Sequence, residues 1–178
     1  GWTIRVYGDD GDGVLEAGEL EVDSTTTDVN GDYSFSLDPG NYVVCEDLTG
    51  QTGWTQSGPV NTKCAAVTTL GDGGHSATVT SNSTTNDLDF FNYRQGSLAG
   101  TKYEDENADG NYDAGDTGLS GWTIRVYGDD GDGVMEAGQT QADTTTTDSN
   151  GDYSFTLDPG NYVVCEDLTG QTGWTQSG

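Results

Sequence analysis

Residues 1–58 recur at 121–178, offset by 120 positions. GWTIRVYGDDGDGV opens at Gly1 and again at Gly121, and LDPGNYVVCEDLTGQTGWTQSG closes both stretches. The differences are few and mild, such as Leu15 against Met135 and Glu19 against Gln139. Self-similarity this close means tandem copies of one folding unit. Residues 96–120 precede the second copy and residues 59–95 follow the first. The natural unit is therefore expected to start near Gly96, run through Gly178 and continue into a stretch like 59–95. On that reading residues 1–95 are the later part of one unit, without its first strand and first acidic loop. Residues 96–178 are the earlier part of the next, without its last strands. The chain is expected to be a window on a longer array, or a subunit completed by its neighbour.

Within the unit the hydrophobic period is two. Gly121–Tyr127 sets Trp122, Ile124 and Val126 on one face and Thr123, Arg125 and Tyr127 on the other, which is strand spacing. Ser97–Glu104 reads as a first strand and Thr140–Thr147 as a Thr-rich one. Asn150-Gly151 is a hairpin turn signal, and Asp152–Leu157 follows with Tyr153, Phe155 and Leu157 inward. After the Asp158-Pro159-Gly160 turn comes a strand over Asn161–Glu166. The first copy adds Cys64–Leu70, a GDGG turn at 71–74, Ser76–Ser81 and Asp87–Tyr93. Nothing has helical periodicity. Seven or eight short strands separated by turn signals predict an all-β fold of tandem antiparallel β-sandwich domains.

Charge then narrows the function. Asp and Glu number 31 against five Lys and Arg, a net charge of −26. A compact chain with that imbalance repels itself, while its four Trp and nine Tyr supply core material that a disordered chain lacks. Bound cations would resolve the conflict. No basic patch meets phosphates, which argues against nucleic acid. No apolar run approaches the ~18 residues of a membrane span.

The carboxylates fall at ligand spacing. Asp105, Asn107, Asp109, Asn111, Asp113 and Asp116 stand at the ligand positions of a calcium loop of EF-hand type, with Gly110 at the sharp turn. Asn111 would ligate through its backbone carbonyl. Asp116 replaces the usual Glu. A degenerate version starts at Gly8, with Asp10, Asp12, Val14, Glu16 and Glu19 at the later positions. Its first position holds Gly8, so Asp9 or a ligand from elsewhere must substitute. The second copy offers Asp129, Asp130, Asp132, Val134 and Glu136, with Gln139 in place of Glu19. Asp28-Val-Asn30-Gly-Asp32 and its copy at 148–152 suit a hairpin better than a third ion. Asp89, on the last strand, is a candidate ligand brought in from afar. Each Ca2+ would offset two negative charges, and its binding would add to folding stability.

Cys45 and Cys64 suggest one disulfide per unit and an oxidising compartment. Cys165 repeats Cys45, and its partner is expected beyond Gly178. A single histidine, His75, makes zinc a poor alternative. Lys102, Asn92 and Glu166 are each in phase with inward positions. Meeting in a core, they would allow a Lys–Asn isopeptide bond with the Glu as proton shuttle; the alternative is a surface Lys paired with a carboxylate. Catalysis finds no constellation of nucleophile, base and orienter. Asn82-Ser83-Thr84 and the Thr runs at 25–27 and 144–147 are candidate glycan acceptors.

The segments GTKYEDENADGNYDAGDTGLSGWTIRVY, TTTDSNGDYSFTLDPGNYVVCE, GWTQSGP and DFFNY resemble the SdrD B-type repeat and the related Cna-B-like domains of microbial surface proteins. The resemblance covers essentially the whole chain in permuted order. It implies a prealbumin-like β-sandwich, calcium in the Asp105–Asp116 loop and a role as a rigid spacer or stalk. The isopeptide habit belongs to the Cna-B branch, where Lys, Asn and Glu occupy positions like Lys102, Asn92 and Glu166. The expectation is a calcium-stabilised stalk or extracellular fibre of a cell surface, partnered by copies of itself in a linear array. An adhesin presenting Trp54, Tyr7 and Tyr93, or a passive spacer, is the alternative.

Overall fold

The computed structural model describes residues 1–177 and resolves into two compact units, Gly1–Arg94 and the remainder from Gln95. Every regular element is a β-strand. The first unit contains β1 (Thr3–Gly8), β2 (Glu21–Thr26), β3 (Gly40–Asp47), β4 (Thr55–Gly58), β5 (Leu70–Val79) and β6 (Phe91–Tyr93). An antiparallel sheet runs in the order β2-β1-β3-β5, and β4 pairs with β6.

β3 reads Tyr42-Val-Val-Cys45 without polar interruption because both its faces are covered. Tyr42 and Val44 join Ile4 and Val6 under Tyr33, Phe35, Leu37 and Phe90. Val43 and Cys45 join Tyr7, Leu15, Cys64 and Leu70 on the opposite face.

The GDGG segment is not a turn. Gly71–Gly74 lie inside β5, and none of these three glycines has a positive φ. They are glycines because other atoms sit where a Cβ would go: the Gln56 side chain at Gly71, the Pro59 carbonyl at Gly73 and the Cys64 Sγ at Gly74. Residues 64–70, expected as a strand, instead form successive tight turns, with Val67 donating to the Cys64 carbonyl and Leu70 to that of Val67. The strand expected at Asp87–Tyr93 shortens to β6, and β4 is an addition to the elements read from the sequence.

The second unit contains β7 (Gly96–Thr101), β8 (Tyr103–Glu104), β9 (Thr117–Gly118), β10 (Thr123–Gly128), β11 (Gln141–Thr146), β12 (Asp152–Leu157) and β13 (Tyr162–Glu166). Its sheets are β11-β10-β13, β12-β7 and β8-β9. Ile124 and Val126 from one sheet pack against Phe155 and Leu157 from another, which is the facing arrangement of a β-sandwich. Both copies carry the same irregularity, at Val6/Tyr7 and Val126/Tyr127.

The Asn-Gly turns form as expected, with φ of 91° at Gly31 and 87° at Gly151. The one in the second unit joins β11 to β12, which belong to different sheets. It is a corner and not a hairpin. The Asp28 carboxylate accepts from the N–H groups of Asn30 and Asp32, as Asp148 does from Asn150 and Asp152. Those carboxylates are thus engaged in building the corner.

One ion pair repeats across each sheet. Arg5 on β1 holds Asp47 at 2.6 Å and Glu21 at 2.9 Å. Arg125 holds Asp167 at 2.7 Å and donates to Gln141, which replaces Glu21. Hydrogen bonds from Thr169, and then the Arg125 guanidinium, hold the Asp167 carboxyl down to about 2. A depressed carboxylate stabilises the fold above its unfolded value of about 3.9, and that contribution is lost as pH falls through the folded value. A carboxyl titration by NMR should therefore place Asp167 near 2, and Thr169→Val should move it up toward the ordinary range. An unmoved midpoint in the variant would contradict this cause.

Candidate metal centre

The first acidic loop is closed at its base by β8 and β9, which pair Tyr103 with Gly118 and Glu104 with Thr117. The Tyr112 ring folds back onto Tyr103 at 4.7 Å between centroids. Backbone N–H groups inside the loop orient its carboxylates. Asp105 accepts from Asp109 (3.3 Å) and Gly110 (2.8 Å). Asp116 accepts from Glu106 (3.3 Å) and Asp113 (3.0 Å). Asp109 accepts from the Asn111 N–H and Asp113 from that of Gly115. The Asn107 amide donates to both Asp109 and Asp113. The first and last acids thus bind the loop's own backbone and turn its ends inward.

The second acidic loop uses the same closure in one residue fewer. Asp9 accepts from Gly11 (3.1 Å) and Gly13 (2.9 Å). Glu19 accepts from Asp10 (3.1 Å) and Glu16 (2.9 Å), as Asp116 does from the second residue of its loop and the residue three before it. Asp9 therefore takes the role of Asp105, and the register that set Gly8 first is corrected by one residue. The loop is anchored to the core through Leu15, which is 2 % exposed and donates its N–H to the Lys63 carbonyl. Lys63 Nζ donates in turn to the Gly13 carbonyl at 2.9 Å.

Carboxylate oxygens of Asp9, Asp10 and Asp12 lie within 4.8 Å of one another, and those of Asp129, Asp130 and Asp132 do the same. Among the described residues the Asp105–Asp116 loop forms no such triple: Asn107 stands between two of its acids as an amide donor. Crowding holds the Glu16 carboxyl above its usual range, with Asp12 the largest influence and Asp10 next.

The copies differ at their closing residue. Gln139 accepts from Glu136 alone and turns its amide to the Val134 carbonyl. Asp129 Oδ1 is buried without a partner, whereas the equivalent Asp9 oxygen takes the Gly13 N–H. Met135 is 40 % exposed where Leu15 is buried. An orphaned buried carboxylate oxygen beside two further carboxylates is a donor set that suits a hard cation.

The remaining candidate residues separate by unit. Cys45 and Cys64 are joined, with Cα atoms 6.0 Å apart, and Cys165 is a free thiol. Lys102 Nζ lies 2.8 Å from Glu166 and 4.8 Å from the Trp122 ring centroid. Asn92 donates to Glu46, the counterpart of Glu166, at 2.8 Å. Each unit thus assembles two of the three crosslink groups, not all three. Asp89 lies with Asn30 and Asp32 beside a groove in the first unit, and its carbonyl contacts His75. Of the aromatic residues of the adhesin alternative, Tyr7 is buried, and Trp54 stacks edge-on with Trp2 under Arg94. Glu46 was singled out only as the copy of Glu166, although it continues the inward phase of Tyr42 and Val44 in its own strand.

Residues 96–178, with the first acidic loop and the second sandwich, match the SdrD B-like domain model. Those residues are an SdrD B-like domain. The chain is also 31% identical over 148 residues to serine-aspartate repeat-containing protein F of Staphylococcus epidermidis, covering 80% of this chain and 8% of that protein. It is 32% identical over 146 residues to serine-aspartate repeat-containing protein D of Staphylococcus aureus (strain Newman), covering 79% of this chain and 10% of that protein. The chain spans a tenth or less of the length of these relatives. No solved structure matches. With the SdrD B-like match comes an extracellular, cell-surface repeat protein, and the Cys45–Cys64 disulfide fits an oxidising compartment.

Proposed function

We propose that the chain is a calcium-stabilised stalk segment of a cell-surface protein, non-catalytic, and arrayed with copies of its own unit. The observation that carries this reading is the shared closure of the two loop types. Both use end carboxylates bound to their own N–H groups to turn acidic side chains inward. In the first loop, Asp105, Asn107, Asp109, Asp113 and Asp116 would hold the ion with the Asn111 carbonyl. In the second, Asp9, Asp10, Asp12 and Glu19 would do so, and Asp129, Asp130 and Asp132 in its copy. Bound Ca2+ would neutralise the crowded carboxylates and tie each loop to the strands that flank it.

Calorimetric titration with calcium tests the reading. Binding is expected in the range of about 10⁻⁴–10⁻³ M typical of extracellular modules. Asp105→Asn and Asp9→Asn should each remove one site, while Asp28→Asn, at the corner turn, should remove none. The Gln139 loop should bind more weakly than the Glu19 loop. No heat from calcium, or equal losses from all three variants, would sink the assignment.

A further inference from the structure

The acidic loop from Asp9 to Glu19 hangs on one short segment far along the chain. Leu15 donates its N–H to the Lys63 carbonyl at 2.7 Å. Lys63 Nζ donates to the Gly13 carbonyl at 2.9 Å and to Ser76 Oγ at 3.2 Å. Gly13 in turn donates its N–H to Asp9 Oδ1 at 2.9 Å. None of the ion pairs among the described residues involves Lys63. The ammonium therefore grips the loop by its backbone and leaves the carboxylates of Asp9, Asp10 and Asp12 free of it.

What holds Lys63 is its surroundings in sequence. Cys64, the next residue, is fully buried and bonded to Cys45 on β3, and its N–H donates to the Asp72 carbonyl on β5. Asn61 Oδ1 accepts from the N–H groups of Lys63 and Gly74 at 3.0 Å each. Leu15 closes the arrangement from the loop side, since it packs in the same cluster as Cys45 and Cys64. Residues 59–69 contain no strand. The disulfide is thus the one covalent fixed point of a segment without a sheet ladder, and segments of that kind open locally at low cost.

We propose that the Cys45–Cys64 disulfide is a redox latch on this acidic loop, with Lys63 as the positioning residue between them. With the bond closed, Lys63 and Leu15 hold the loop in its ion-binding shape. With the bond open, the segment around Lys63 loosens and the calcium affinity of the loop falls. The coupling rests on the calcium reading; the latch itself does not. Reduction by a dithiol breaks the S–S bond, leaves a thiol on each cysteine and converts the reductant to its cyclic disulfide. Coupling between two sites is reciprocal. Calcium in the loop seats Leu15 against the two sulfurs, so it favours the disulfide by the same factor by which the disulfide favours calcium. The loop then reaches full affinity only in oxidising surroundings, where the bond forms and persists.

Hydrogen exchange and calcium titration of the full chain, oxidised or held in dithiothreitol, test the latch. On reduction the Leu15 amide should exchange about tenfold faster while the amides of β1 keep their protection, the pattern of a local opening in a folded unit. Lys63→Met with the disulfide intact should speed Leu15 about threefold, the scale of one lost hydrogen bond, and Lys63→Arg should not. Calcium titration followed by NMR at Gly13 should give an affinity about tenfold lower in the reduced chain, within the usual range of coupling between sites. At Gly133, whose unit holds only the free thiol Cys165, reduction should change nothing. Leu15 exchange unmoved by reduction, or β1 amides speeding as much as Leu15, overturns the latch. Wild-type exchange in Lys63→Met removes the role given to Lys63. Calcium binding at Gly13 with equal affinity in both states overturns the coupling and leaves the calcium reading standing, whereas no response to calcium in either state sinks both.

Discussion

Removing calcium with a chelator is expected to lower the melting temperature of the chain by about 10–20 °C. One site held at a hundred times its dissociation constant adds about 2.7 kcal/mol to the folded state. A unit of this size shifts by roughly 4–8 °C per kcal/mol. The effect is expected to be graded along the chain. The Glu19 loop is closed by two backbone donors and anchored through buried Leu15. Its copy has Gln139, one donor and an exposed Met135, so it should release its ion at lower chelator concentration. Magnesium should restore little, because it demands a smaller, stricter octahedron than a flexible acidic loop supplies. An unchanged melting temperature would refute the calcium reading and leave a net charge of −26 without a neutralising partner.

The second large effect is confined to one unit. Cys45 and Cys64 are both fully buried, on β3 and in the turn before β5, and close a loop at a sequence separation of 19. A crosslink of that length contributes roughly 3 kcal/mol by restricting the unfolded chain. The double variant Cys45→Ala/Cys64→Ala should therefore melt its unit well below the wild type. It also opens space against Val43 and Leu70, which adds a cavity cost. The unit from Gln95 onward, where Cys165 is a free thiol, should keep its transition. Differential scanning calorimetry would show one transition moving and one staying. Joint movement of both would mean that the units do not unfold separately.

Much of this was legible in the residues. Alternation in Trp122–Tyr127 and Asp152–Leu157 marks strands because a half-buried strand needs it. The repeat supplies a second reading of every uncertain position. The misreadings share a cause. Gly71–Gly74 looks like a turn because glycine permits one, yet there glycine gives room to Gln56, Pro59 and Cys64. Those neighbours are distant in the chain, so no local pattern reveals them. Asn150-Gly151 does mark a turn, but whether a turn pairs its flanking strands or sends them to different sheets depends on what each strand packs against. The acidic loops show the same limit. Ligand spacing favours Asp105–Asp116, while the carboxylate triples within 4.8 Å lie at Asp9, Asp10 and Asp12 and at their copy, Asp129, Asp130 and Asp132. Backbone donors decide where those oxygens point, and spacing alone does not carry that. Asp89, just before β6, lies beside Asn30 and Asp32, a neighbourhood that spacing along the chain does not reveal.

The crosslink between β3 and the turn before β5 has a further consequence for a chain pulled from its ends. The stretch from Cys45 to Cys64, a sequence separation of 19, would add roughly 65 Å of length if drawn out straight. With the two sulfurs joined, tension passes directly from one to the other and that length is never released. A tether built from such links yields in short steps and then stops, and its maximum extension is set by oxidation chemistry as much as by residue count.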